Sequence, residues 1–320
     1  MKVDKQNQNV CYNDEKHMYW DENGVYVSVT TLIGKFCQDF DKDFWSGYKA
    51  LEKMLSAEEF KAEKSQLLNT HKIDVEYFCN MYGFTRNDYN KAQQDILDEW
   101  QKTNAESCER GSKIHAELEG NYTSKKQCEL RKFGLGGKFE VNTNDSLMEH
   151  NKDLLDIEKG VFPEYMIYRK SDDGKFKLAG QIDLLIKDGN DIYIIDYKTN
   201  KKLDDKSFFD KRTKKCQMMK YPMNNIMDCN KMHYALQLST YAWMLQKLNP
   251  KFVVKKLLLI HYDHQGNVTE HELDYLKDDV ERMCRFYKKE AILEARKNSR
   301  RPIAVSYTHL RAHETTLHLV

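Results

Sequence analysis

Residues 180–201 read GQIDLLIKDGNDIYIIDYKTNK, and few folds accommodate that order. Two runs rich in Ile, Leu and Tyr, QIDLLIK and IYIIDYK, flank Asp188-Gly189-Asn190-Asp191. Such runs favour strands and such a link favours a tight turn, so a β-hairpin is predicted. With Gly189 and Asn190 as loop residues of a positive-φ turn, pairing outward from them puts Asp183 opposite Asp196. Lys198 lies two residues past Asp196, and the period of a strand sets it on the same face. Two carboxylates about 5 Å apart at an effective dielectric of about 20 repel by about 3 kcal/mol, which a divalent cation would offset. Oxygen ligands with open water positions suit Mg²⁺ or Mn²⁺ better than zinc. A lysine beside such a cation orients a water or stabilises charge on a phosphoryl group. The alternative is a surface hairpin in which Asp183 and Lys198 form a diagonal ion pair and Asp196 is solvated.

Other segments stand around the hairpin in order: VYVSVTTLIGKF at 25–36, ERGSKIHAELEG at 109–120, FPEYMIYRK at 162–170 and YALQLSTYAWML at 234–245. Together they resemble the PD-(D/E)XK nuclease superfamily, in particular its RecB-like exonuclease branch with its stand-alone phage members. The resemblance runs from about Tyr19 to Arg296. It matches Gly111 and His115 to the G-x-x-x-H motif, whose histidine joins the metal site. It matches Glu164 to an acid ahead of the G-x-x-D strand, here Gly180 and Asp183. Gln237 and Tyr241 match the Q-x-x-x-Y motif, and being four apart they share a helical face.

The ligand set this implies is His115, Asp183, Asp196 and the Tyr197 carbonyl around Mg²⁺ or Mn²⁺, with Glu164 contributing through water. Lys198 is then expected to position or deprotonate the attacking water, and Gln237, Tyr241, Thr199 and Lys201 to meet substrate. Each assignment has a plainer counterpart: His115 as a satisfied histidine of an amphipathic helix, Gln237 and Tyr241 as packing, Glu164 as an exposed strand residue.

The resemblance implies a Mg-dependent DNA nuclease, an exonuclease acting in recombination, repair or phage genome processing. A structure-selective or restriction-type endonuclease, or a catalytically silent DNA-binding subunit, is the alternative. The implied partners are single- or double-stranded DNA and recombination or replication proteins. Eight scattered cysteines include no C-x-x-C pair, which argues against a zinc ribbon and suits a reducing compartment. Iron–sulfur relatives place three cysteines after the Q-x-x-x-Y helix, but only Cys284 follows Gln237 here, so no such cluster is expected. No apolar run approaches the roughly 20 residues that span a bilayer, and the N-terminus lacks a signal-peptide core. A cytoplasmic protein without a membrane partner is expected, in a bacterial host cell if phage-encoded.

The net charge of +1 conceals a local basic run of Lys201, Lys202, Lys206, Lys211, Arg212, Lys214, Lys215 and Lys220. Phe208, Phe209 and Tyr221 are interleaved with it, as suits a nucleic-acid strand held by charge and stacking. The alternative is a solvated loop whose aromatics anchor it to the core.

The expected fold is α/β, a central mixed β-sheet flanked by helices in a restriction-endonuclease-like αβββαβ core, with an N-terminal helical elaboration. Residues 1–43 would form a hairpin and lead-in, 44–130 the helical region with the G-x-x-x-H motif, and 131–304 the nuclease core. Strands are predicted at 161–169, 176–187 and 191–198, and a helix at 231–248. KKLLLIHYD and NVTEHELDY should pair across Gln265-Gly266-Asn267, and a last helix should begin near Lys277. A hairpin is expected over 19–33 about Asn23-Gly24, helices from Phe44 to Glu119 with breaks near Gly83 and Thr103, and a loop at FGLGGKFEVN. The 305–320 tail resembles translated sequencing-adaptor DNA, so it is expected to be non-native, and His309, His313 and His318 are not assigned to a metal.

Overall fold

The computed structural model describes residues 2–143, 150–210 and 213–299. Lys211, Arg212 and the 305–320 tail with its three histidines lie outside them. The described residues divide into two compact units: Asp39–Arg110, and the residues up to Gln38 together with residues 111–299.

The second of these units opens with four short antiparallel strands, β1 (Lys5–Asn7), β2 (Val10–Asn13), β3 (Met18–Asp21) and β4 (Gly24–Ser28). The hairpin turns at Glu22-Asn23, one residue earlier than expected, since Gly24 already pairs with Asp21, and its second arm stops early. Ser28 caps a helix, α1 (Val29–Gly34), its hydroxyl accepting the Thr31 N–H, so Val29–Ile33 are helical rather than extended. A serine ahead of β-branched residues hides this start, since Val and Thr favour strands while the cap favours a helix.

The helical unit holds α2 (Lys42–Met54), α3 (Ala57–Thr70), α4 (Val75–Tyr82) and the first part of α5 (Arg86–Thr123). Asp41 and Asp74 cap α2 and α4, Ser56 and Glu59 form a reciprocal capping box on α3, and Gly83 ends α4 in the left-handed conformation. Phe44, Tyr48, Leu51, Phe60, Leu67, Phe78 and Tyr89 make its core. The break expected near Thr103 does not occur, and α5 is continuous. The Thr103 hydroxyl donates to Glu99 O at 2.9 Å, so it is satisfied within the helix instead of competing with it.

From Gly111 on, the end of α5 leads to β5 (Gln127–Glu129), β6 (Lys138–Val141), α6 (His150–Asp156), β7 (Lys159–Lys170), β8 (Lys177–Asp188) and β9 (Asp191–Lys198). A small hairpin, β10 (Phe209–Asp210) with β11 (Lys215–Cys216), precedes α7 (Asn230–Leu248), β12 (Val253–Tyr262), β13 (Val268–Glu272) and α8 (Lys277–Ser299). The loop expected at 133–142 is partly a strand: after left-handed Gly134 and Gly137, β6 pairs parallel to β7 and buries Phe139. Four residues with one buried apolar side chain are too short for periodicity to reveal.

Among the described residues the main sheet runs β1-β2-β3-β4-β8-β7-β6-β5, and β9, β12 and β13 branch from β8. β7, β8 and β9 are antiparallel neighbours, α7 crosses over to bring β12 parallel to β9, and β13 returns antiparallel. This is the mixed, helix-flanked αβββαβ arrangement. One face packs on α1, α7 and α8 through residues such as Leu32, Leu178, Leu236 and Met283. The other packs Leu184, Ile186, Ile195 and Ile260 against Tyr122, Leu130 and Phe139. No helix among the described residues is long and apolar enough to cross a membrane.

The branch has a consequence for one stretch of backbone. β4 pairs with Leu178 and Ala179, β9 pairs with β8 from Leu184 onward, and among the described residues neither ladder includes Gly180–Asp183. The sheet forks there.

Candidate active site

The β8–β9 ladder has the register predicted from the turn, with Leu184 opposite Ile195 and Asp188 opposite Asp191. It stops one pair short of Asp183 and Asp196. On the other side of β8, Pro163 faces Leu184 and Tyr165 faces Ile182, so Glu164 stands across from Asp183. Glu164 has a φ of 51°, a left-handed conformation unusual for a residue with a side chain. Phe162, Tyr165 and Ile167 all reach the α7 side of the sheet, as do Ile182 and Leu185. The inward alternation therefore slips by one residue at Glu164 in β7 and at Asp183 in β8, as at a bulge. Freed from the regular pleat, the Asp183 carboxylate accepts the Tyr197 N–H at 2.8 Å, capping the edge of β9 that the fork leaves open.

His115 reaches this point from the end of α5. Its Nε2 lies 3.0 Å from Tyr197 O and its Nδ1 3.6 Å from Asp183 Oδ2. One turn earlier, a Cβ on Gly111 would sit 3.2 Å from Thr199 Oγ1. A glycine there lets the helix lie close to the loop after β9. Donor atoms of His115, Glu164 and Asp183 fall within 4.8 Å of one another, and the Tyr197 carbonyl borders the same space. Glu164 Oε2 also accepts from Lys5 Nζ at 3.2 Å.

Asp196 has different company. It is 1% exposed, its Oδ2 is 2.7 Å from Lys198 Nζ, and its Oδ1 accepts from Gln237 Nε2 at 3.2 Å. Gln237 also donates to the Tyr241 hydroxyl at 3.2 Å, so the two motif residues of α7 work as one hydrogen-bonded pair. The Lys198 ammonium lies 5.1 Å from the Tyr234 ring centre, within cation–π range. A Cβ on Gly180 would approach Tyr241 Cε1 to 2.6 Å. That glycine lets the tyrosine lie across β8 at the fork.

The electrostatics separate these groups. Burial and the neighbouring Asp183 push Glu164 up to about 8. Burial pushes Asp196 up to about 6, although Lys198 pulls the other way. Burial works against the Lys198 ammonium, yet the Asp196 and Asp183 carboxylates hold it above the ordinary lysine range. In the metal-free chain those carboxylates favour the ammonium form of Lys198, a hydrogen-bond donor. The donor set, one imidazole, carboxylates and a carbonyl, fits a hard divalent cation, and Glu164 is a buried acid that meets Lys5 and faces Asp183.

Thr199 borders Gly111, while Lys201 is exposed. The structure also adds residues that the motifs did not contain. Lys5 comes from the N-terminal strand, with nothing in its sequence to mark it. Tyr234 precedes Gln237 by one helical turn and was accessible to the same spacing argument. His261 Nε2 meets Asn200 O at 2.7 Å, fixing the loop that leaves β9. Along the basic segment Phe208 and Phe209 are 65% and 51% exposed, while Tyr221, 70% exposed, packs edge-on against Phe286 of α8 at 5.4 Å.

A family model described as the PD-(D/E)XK nuclease superfamily matches residues 86–304. No curated protein matches the chain. Among solved structures, that of SSO0001 aligns with a TM-score of 0.33 and 15% identity over 86% of this chain and 78% of its own. A protein from Eubacterium rectale named "Putative exonuclease" aligns with a TM-score of 0.31 and 10% identity over 88% and 91%.

Proposed function

We infer the chemistry of the site from one premise: the chain belongs to the PD-(D/E)XK nuclease superfamily. Its most economical reading is a metal-dependent deoxyribonuclease of the RecB-like branch, acting on DNA ends. The observation that carries it is the convergence of His115, Glu164 and Asp183 within 4.8 Å, with a lysine-bound Asp196 on the adjoining strand.

His115, Glu164, Asp183 and the Tyr197 carbonyl would hold Mg²⁺ or Mn²⁺, and Asp196 would complete the acidic wall. Such a cation supplies Lewis-acid charge for a phosphodiester and its leaving oxygen. The chain's own residues do the rest. Asp196 fixes the Lys198 ammonium, and Gln237 and Tyr241 fix Asp196, so Lys198 presents its remaining N–H bonds to a water or a phosphoryl oxygen. Gln237 and Tyr241 thus act first as positioning residues. Thr199, Lys201 and the exposed aromatics past β9 are placed to meet the polynucleotide.

The process served would be recombination, repair or phage genome processing. The test is cleavage of end-labelled linear single- and double-stranded DNA beside a closed circular duplex, with Mg²⁺ or with chelator. Shortening of linear DNA from its ends in Mg²⁺, with the circle intact, is expected. Cleavage that survives chelation would overturn the metal-dependent reading, and efficient nicking of the circle would overturn the preference for ends.

A further inference from the structure

A cysteine, an aspartate and a histidine converge at a second point of the sheet unit, and the nuclease chemistry uses none of them. Cys37 follows α1, Asp228 precedes α7, and His233 stands in the first turn of α7. His233 Nε2 lies 2.7 Å from Asp228 Oδ1 and 3.4 Å from Cys37 Sγ. One donor atom of each residue falls within 4.8 Å of the others. The aspartate is held in place: its Oδ2 accepts the Gln38 N–H at 2.7 Å and Gln217 Nε2 at 3.3 Å. That leaves Oδ1 for the imidazole. The Asp228 and His233 side chains are 6% and 10% exposed.

An aspartate–histidine brace needs no thiol beside the same ring nitrogen. Around a tetrahedral zinc ion, with Zn–S about 2.3 Å and Zn–N about 2.0 Å, sulfur and nitrogen stand about 3.5 Å apart, close to the separation observed. We propose that Cys37, Asp228 and His233 form a Zn²⁺ site distinct from the acidic cluster, its fourth position left to water. Thiolate and imidazole donors select zinc over magnesium. Burial and the Asp228 carboxylate push the Cys37 thiol up to about 12, so zinc binding would release the thiol proton and the one shared between His233 and Asp228. His233 lies one turn before Gln237 on α7. The site would tie the end of α1 to the start of the helix that carries Gln237 and Tyr241 to Asp196.

Cobalt provides a probe that needs no cleavage assay, so the outcome is independent of the nuclease reading. The chelator-stripped full-length chain is titrated with Co²⁺ and the cobalt–thiolate charge-transfer absorption is recorded. The band should saturate at one equivalent, be quenched by Zn²⁺ and not by Mg²⁺, persist in Asp183→Asn and Cys229→Ser, and vanish in Cys37→Ser. No thiolate band in the unmodified chain, or a band that survives Cys37→Ser, overturns the site. Circular dichroism reports whether Cys37→Ser folds. If it does not, His233→Gln decides: at least tenfold weaker cobalt binding supports the site, and unchanged binding overturns it.

Discussion

Two buried acidic centres on the same sheet are treated in opposite ways. Asp21, on β3, is 5% exposed and meets Lys177 at 2.6 Å and Lys170 at 3.1 Å. It also accepts the Tyr26 hydroxyl at 3.0 Å and the Asn23 N–H at 2.8 Å. Burial alone would raise this carboxyl, but those partners hold it well below the ordinary carboxylate range. At the fork, Glu164 and Asp183 face each other, and burial together with Asp183 pushes Glu164 up to about 8 although Lys5 pulls the other way. A buried carboxylate whose counter-charges are built in is a structural fastening. One that keeps another acid as its neighbour retains a repulsion that a bound cation would relieve.

The contrast can be broken in several places. The largest effect should come from Lys198→Ala or Asp196→Ala: loss of a positioned donor or of its anchor should lower Mg²⁺-dependent cleavage by about 10³-fold, measured on labelled DNA with folding checked by circular dichroism. Wild-type cleavage by either variant would remove the pair from the mechanism. Asp21→Asn should leave two lysines beside a neutral amide and lower unfolding free energy by about 3 kcal/mol, read by urea denaturation, with cleavage per folded molecule unchanged. A loss of activity at full stability would mean that Asp21 is not merely structural.

Gly180→Ala forces a methyl against Tyr241 and should lower stability by about 2 kcal/mol. Because Tyr241 supports Gln237, its cleavage rate should fall as well, whereas Gly34→Ala, with open space around its Cβ, should do neither. The smallest effect is the most diagnostic in sign. Glu164→Gln should stabilise the metal-free protein by about 1 kcal/mol at pH 8, because it removes a buried charge, while weakening Mn²⁺ binding.

The two centres should also respond oppositely to pH. The folded pKa of Asp21 is depressed, so its contribution is present above about pH 4 and is lost as pH falls below that range. The folded pKa of Glu164 is raised, so the folded state binds its proton more tightly than the unfolded chain does. Metal-free stability should then decline as pH rises from about 4.3 to about 8, and Glu164→Gln should flatten that slope in thermal denaturation.

Much of the site was legible because strand and helix periods are strict. The turn at Gly189-Asn190 fixed the β8–β9 register, and the four-residue spacing put Gln237 and Tyr241 together. What the periods could not show is where they are interrupted. The slip at Glu164 and Asp183 depends on a left-handed residue and on a forked sheet, in which β4 and β9 divide one edge of β8 while β7 holds the other. Glu164 stands in the cluster with His115 and Asp183 through a backbone conformation that its sequence neighbours do not mark. Lys5 arrives by tertiary pairing from the far end of the chain, which no local pattern encodes. Val29–Ile33 and Thr103 show the converse: a cap or a satisfied hydroxyl overrode a propensity that pointed elsewhere.

The central claim is that the slipped acids and His115 share one divalent cation. Calorimetric titration of the metal-free protein with Mn²⁺, in parallel with Asp183→Asn, tests it most directly. The account predicts saturable binding to the unmodified chain and its loss in the variant. Binding of equal affinity to both proteins, or none to either, would contradict it.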